Sequence, residues 1–155
     1  MSPQHDQAWL QRAVALAQDN VARGGRPFGA VLVKDGAVLV EAVNQIHLDQ
    51  DPTAHAEMLA IRRASQQLGP RLEGCVIYAS GQPCPMCLGA MYLCGVARVV
   101  FAASNEMAAP FGLSTAAVYQ QMSLPLTAQQ LPVEHLPMPA MQALYRQWKT
   151  LHDPE

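Results

Sequence analysis

A layered α/β domain built round a mixed β-sheet is the fold class that the sequence predicts. Three observations carry it. Apolar runs of strand length alternate with longer segments of helical periodicity. The first two runs flank an Asp-Gly pair, a strong hairpin signal that makes one strand pair antiparallel. The length of 155 residues, half of them apolar, suits a single domain (1–155) with a real core.

The elements follow in order. Over 6–23, Trp9, Leu10, Ala13, Leu16, Ala17 and Val21 recur at helical spacing, and Gly24-Gly25 ends that helix. Apolar runs at 28–33 and 37–43 predict two strands, with Lys34-Asp35-Gly36 as the turn. The polar stretch 44–52 reads as a loop. Good helix formers over 53–68, with Thr53 as a candidate N-cap, predict a second helix stopped by Gly69-Pro70. A strand is expected at 75–79, a buried helix at 85–94 with Pro85 in its first turn and Gly95 after it, and a strand at 97–103. Farther on the signals weaken to a short helix at 115–122 and an edge strand at 131–134. An amphipathic helix at 140–151 sets Met141, Leu144, Tyr145 and Trp148 on one side. No repeat, low-complexity tract or linker interrupts the order.

Charge narrows the function. Ten basic and twelve acidic side chains leave a formal charge of -2, so the basic footprint of nucleic-acid binding is absent overall and nucleic acid is a disfavoured partner. No apolar run reaches the roughly 20 residues of a membrane span, and no basic start with an apolar run marks a signal peptide. A cytoplasmic protein without membrane partners is expected. Of the four cysteines, Cys84 and Cys87 form a close pair. In a reducing compartment such a pair is more often a metal site than a disulfide. Cys75 and Cys94 suit buried apolar positions. His5, His47, His135 and His152 are assigned to the surface.

The informative fragments are His55-Ala56-Glu57 and Pro83-Cys84-Pro85-Met86-Cys87. Together they offer one imidazole and two thiolates to zinc, with no fourth ligand evident. Structural zinc sites close with four protein ligands, whereas catalytic ones keep a position for water. Zinc lowers the pKa of bound water from ~16 toward ~7. Glu57, two residues past His55, is near such a metal yet free to take a proton and hand it to a leaving nitrogen. Both fragments begin helices, whose N-termini favour thiolates and developing negative charge. A redox pair or a structural zinc finger is the competing reading, but Cys75 and Cys94 are wrongly spaced for a four-cysteine finger.

The pattern H-x-E…P-C-x-x-C is the signature of zinc-dependent nucleobase deaminases. From about Gln7 to Ala103 the chain resembles the cytidine deaminase-like superfamily. The strings Pro27-Phe28-Gly29-Ala30, Asp51-Pro52-Thr53-Ala54-His55-Ala56-Glu57 and Pro83-Cys84-Pro85-Met86-Cys87-Leu88-Gly89-Ala90 look most like bacterial guanine deaminases, and several recur in tRNA adenosine deaminases. The resemblance implies a three-layer α/β/α sandwich round a mixed five-stranded sheet, with zinc between the second and third helices. It implies a homodimer in which the C-terminal segment, here 137–155 with Tyr145 and Trp148, is exchanged between subunits. From the residues alone, both aromatics could simply pack the last helix.

The resemblance also implies that Asn44 hydrogen-bonds the base and that Phe28 stacks on it or lines the pocket. A turn residue and a core residue are the plainer readings of the two. The backbone N–H groups of Ala56 and Cys84 would act as oxyanion-hole donors. Two departures bear on substrate. Guanine deaminases carry a carboxylate in the segment matching 110–119, where this chain offers only the hydroxyls of Ser114 and Thr115. Gln82 stands where the family often has glutamate. Glu134, in Glu134-His135-Leu136, resembles a late acidic residue of the guanine enzymes and is either a substrate contact or a solvated edge residue.

The resulting expectation is zinc-dependent hydrolytic deamination of a small amino-substituted nucleobase, guanine or a related purine. Alternatives are adenosine in tRNA, or cytosine or another amino-heterocycle such as a pterin or triazine. A zinc-stabilised scaffold without catalysis is the reading from another class, and Glu57 counts against it.

Overall fold

The structure, a computed structural model, describes residues 3–153. The chain forms two compact units divided between Gln120 and Gln121. In the first, the order is α1 (Pro3–Ala22), β1 (Gly29–Lys34), β2 (Ala37–Val43), α2 (Ile46–Asp49), α3 (Ala56–Leu68), β3 (Cys75–Gly81), α4 (Pro85–Cys94), β4 (Arg98–Ala103) and α5 (Asn105–Ala108). A 3-10 turn at Ala109–Phe111 leads to α6 (Ala116–Met122), at whose end the second unit begins. That unit adds a 3-10 turn at Leu126–Ala128 and α7 (Pro139–His152). Residues 154 and 155 of the expected exchanged segment lie outside the described residues.

The sheet runs β2-β1-β3-β4. β1 pairs antiparallel with both β2 and β3, and β3 pairs parallel with β4, so the sheet is mixed as expected. It has four strands among the described residues, not five. The expected strand at 131–134 is irregular chain. Pro132 has no N–H to give to a ladder there, and no partner strand compensates.

The hairpin forms where the Asp-Gly pair placed it. Asp35 and Gly36 both take the left-handed conformation, at φ 53° and 76°, the geometry of a two-residue turn that matches strand twist. Strand alternation then sorts the core into two layers. Ala30, Leu32 and Ile77 face α3 and α4, packing with Leu59, Ala60, Ala64 and Met91. Val31, Val33, Val76 and Tyr78 face α1 around Ala13. Helices therefore cover both faces, giving the three-layer sandwich. Each fully buried Leu or Ile contributes about 1.5–3 kcal/mol by leaving water. Gly29 sets the closeness of α1: a Cβ there would lie 2.5 Å from the Ala13 carbonyl oxygen.

Polar ties hold α1 at both ends. The Asp6 carboxylate accepts from the Tyr78 hydroxyl at 2.6 Å and from Arg98 at 2.8 and 3.3 Å. These donors, Arg98 first and Tyr78 second, hold the Asp6 carboxyl down to about 2. Burial, reinforced by Asp6, pushes the Tyr78 hydroxyl up to about 12. At the other end of α1, the buried Asn20 amide donates to the carbonyls of Arg26 at 2.8 Å and Asn44 at 3.0 Å.

Three local expectations change. Thr53 is not the cap of α3: its N–H and hydroxyl both donate to Asp51, and His55 occupies the cap position. The loop at 44–52 contains the short helix α2. His47 is only half exposed, with its Nδ1 buried. Cys75 and Cys94 are buried as expected. No helix among the described residues is long and apolar enough to cross a membrane.

Candidate active site

The site forms where the starts of α3 and α4 meet on one side of the sheet. His55 enters α3 in extended conformation, φ -76° and ψ 151°, with no side-chain cap bond, and Glu57 sits in the first turn. Cys84 also enters α4 in extended conformation, with Pro85 supplying a pre-set first turn. Its sulfur accepts from the Cys87 N–H at 3.5 Å, so the C-x-x-C spacing brings both sulfurs to one helix end.

His55 Nδ1 lies 3.5 Å from the sulfur of Cys84 and 3.5 Å from that of Cys87. A tetrahedral zinc with Zn–S near 2.3 Å and Zn–N near 2.0–2.1 Å needs N···S edges of about 3.6 Å. Both N···S edges match that geometry, and the three ligand atoms lie within 4.8 Å of one another. Among the described residues the cluster comprises these three side chains alone. A zinc ion held by these three would find no fourth side-chain ligand in the cluster among the described residues, as in catalytic rather than structural sites.

The protonation states follow from contacts. The Cys84 thiol is held down to about 4 by the hydrogen bond from Cys87 and then by His55. The Cys87 thiol is pushed up, chiefly by a side-chain hydrogen bond to Cys84, separate from the backbone N–H bond, and secondarily by burial. His55 is raised, first by its contact with Cys84. Glu57, 6% exposed, is pushed up to about 7 by desolvation.

A cavity of about 140 Å³ opens beside these groups. Phe28, Asn44, His55, Glu57, Cys84, Ser114 and Thr115 all line it, so the structure brings most of the expected site residues together. Cys87 is fully buried, and Ala56 is buried at the first position of α3. Glu134 is exposed in the unit that begins at Gln121. Asn44 is 2% exposed, and its Oδ1 accepts from the Ile46 N–H at 3.0 Å.

Sequence reasoning missed Arg26 and Leu113 as lining residues and noted Gln82 only as a departure. Arg26 adjoins the Pro27-Phe28 string, which was the one available signal. Tyr119 was missed as a brace: its hydroxyl donates to the Pro83 carbonyl, tying the 110–119 segment to the loop of Cys84.

A family model, the cytidine and deoxycytidylate deaminase zinc-binding region, matches residues 3–103, which hold every member of the His/Glu/Cys/Cys constellation. The chain belongs to that deaminase family. Guanine deaminase of Bacillus subtilis (strain 168) is 39% identical to this deaminase-family chain over 145 residues, 92% of this chain and 93% of that protein. The X-ray structure of guanine deaminase from Bacillus subtilis superposes with a TM-score of 0.88 at 38% identity, covering 97% of this chain and 95% of that one. A tRNA-specific adenosine deaminase of Aquifex aeolicus (strain VF5) is 39% identical over 99 residues, 63% of this chain and 66% of that protein.

Proposed function

We propose that this deaminase-family chain catalyses the hydrolytic deamination of a small amino-substituted nucleobase, guanine or a related purine, releasing ammonia. The observation that carries the reading is the buried Glu57 beside a three-donor cluster, both opening on one small cavity. Similarity running through 92% of the chain to a guanine deaminase supports the purine, against 63% for a tRNA-specific relative. A formal charge of -2 also gives poor footing for a phosphate backbone.

His55 Nδ1, Cys84 Sγ and Cys87 Sγ would hold zinc, which supplies the Lewis acidity that makes water a nucleophile at neutral pH. Net reaction adds water across the amine-bearing ring carbon, breaks the C–N bond and leaves an oxo group. Glu57 manages the protons. With its carboxyl near 7 it can accept one from the attacking water and deliver it to the departing nitrogen. Asn44 spends one acceptor site of its oxygen on Ile46, and its amide N–H groups are available to the base. Phe28 supplies an aromatic wall. Ala56 and Cys84 stand at helix starts, where N–H groups lack intrahelical acceptors and can stabilise charge at the reacting carbon.

A homodimer with an exchanged C-terminal segment belongs to the same proposal. α7 leaves Leu144, Tyr145, Trp148 and Leu151 exposed along its length. Such a face is stable when something covers it, and a second copy provides the cover.

Ammonia release from guanine, adenine, cytosine and an aminotriazine, together with inosine formation in unmodified tRNA, tests the reading. Turnover of a purine base is expected. Turnover of tRNA alone, or zinc binding with no ammonia from any substrate, rejects it.

A further inference from the structure

We propose that Arg26 is a specificity-determining residue of this pocket. It binds a carbonyl or anionic acceptor on the substrate edge that faces the mouth, so the preferred substrates are amino-oxo heterocycles rather than amino-heterocycles without an oxo group. The inference rests on the deaminase reading of the pocket and refines its substrate class.

The polar side chains of the pocket wall differ in the hydrogen-bonding functions they have left to offer. The Asn44 oxygen is taken by the Ile46 N–H at 3.0 Å, which leaves amide N–H groups. The Gln82 oxygen accepts from the Asn105 N–H at 2.9 Å, which again leaves an amino group. The Ser114 oxygen accepts from the Ala116 N–H at 3.1 Å, and its hydroxyl proton remains. Thr115 is the exception: its hydroxyl points at Asn105 Oδ1, 3.5 Å away. Among the described residues Glu57 is the one carboxylate lining the cavity, and the proposed proton transfer occupies it. Backbone N–H groups have therefore taken one acceptor site on each of Asn44, Gln82 and Ser114, which biases those three walls toward donation.

Arg26 extends this bias to the rim. It lines the cavity and is itself exposed. Among the described residues its guanidinium makes no hydrogen bond or ion pair. Every other arginine of the 1–120 unit has a partner: Arg12 on Glu41, Arg23 on Asp19, Arg62 on Thr53, Arg63 on the Glu41 carbonyl, Arg71 on Glu73 and Arg98 on Asp6. A guanidinium presents five N–H donors in a rigid fork and no acceptor, so it matches an oxo group, a carboxylate or an oxo group with its neighbouring ring nitrogen. A donor-rich wall leaves an amino-substituted outer edge with N–H facing N–H, which a binding site rejects strongly.

Guanine and 2-aminopurine share the 2-amino group, and only guanine carries an oxo group. The test compares their kcat/KM in the zinc-loaded protein, in Arg26→Ala and in Arg26→Lys. The guanine to 2-aminopurine ratio is expected to fall about 10- to 100-fold in Arg26→Ala, mostly through KM, given a charged hydrogen bond discounted for solvent. Arg26→Lys is expected to recover part of it, because it keeps the charge and loses the fork. A second arm measures calorimetric affinity for xanthine against unsubstituted purine, neither of which has an amine to release. The same variant should lose the preference for xanthine. Equal losses on guanine and 2-aminopurine, or an unchanged xanthine to purine ratio in Arg26→Ala, overturn the proposal. If no ammonia is released from either amine the deaminase reading fails, while the xanthine arm still decides the role of Arg26.

Discussion

In the proposed reaction, proton carriage at Glu57 and metal binding at Cys87 should separate on substitution. Glu57 is buried to 6% exposure beside the donor cluster, yet it is not one of the cluster's three members. Glu57→Gln keeps the shape and removes the proton carrier. Turnover is expected to fall about 10²- to 10⁴-fold with zinc content unchanged, measured by ammonia release alongside metal analysis. Cys87→Ala is expected to do the reverse in order: zinc occupancy is lost first, and thermal stability and activity fall with it. Retention of full zinc in that variant would remove Cys87 from the ligand set. The placement of these residues was legible in the sequence because each depends on a local turn. One helix start carries His55 and Glu57, and another carries Cys84 and Cys87. Arg26, Gln82 and Tyr119 were not legible as site residues. Arg26 and Gln82 line the cavity and Tyr119 braces the loop of Cys84, and they come from three separate stretches of chain that only the fold brings together.

At the scale of elements, close packing and charge give two further expectations. Gly29→Ala puts a methyl group 2.5 Å from the Ala13 carbonyl, so α1 must shift off β1. A loss of about 1–3 kcal/mol is expected in denaturant unfolding. The clasp of Asp6 on Tyr78 and Arg98 is an acid-sensitive tie. Its carboxyl sits near 2 in the folded chain against an ordinary 3.8, so its contribution is present above about 3.8 and disappears as the pH falls through about 2. Asp6→Asn should lower the melting temperature at pH 7 and flatten its decline over that acid window, followed by circular dichroism. Element by element, the hairpin and the helices over the sheet were readable from periodicity and turn chemistry. The strand at 131–134 was not, because an apolar run alone does not supply a ladder partner, and Pro132 removes a donor from the run. The cap of α3 moved from Thr53 to His55 because Asp51 captures Thr53 in a tight turn. That turn in turn leaves the imidazole at the helix end.

For the whole molecule, assembly is the quantity to measure. Light scattering of the purified protein should give twice the 16.8 kDa of one chain. Leu144→Glu together with Trp148→Glu, on the exposed face of α7, should shift that mass toward the monomer. A dimer mass that persists in this double variant would place the contact elsewhere.

Asn20 draws a last thread through the fold. Its one amide group holds the carbonyls of Arg26 and Asn44, although it belongs to α1, on the side of the sheet away from the cluster. The gateway and one wall of the cavity are thus suspended from a common peg on the far layer. Drift in that remote helix can retune which molecules enter while every residue that touches them stays the same.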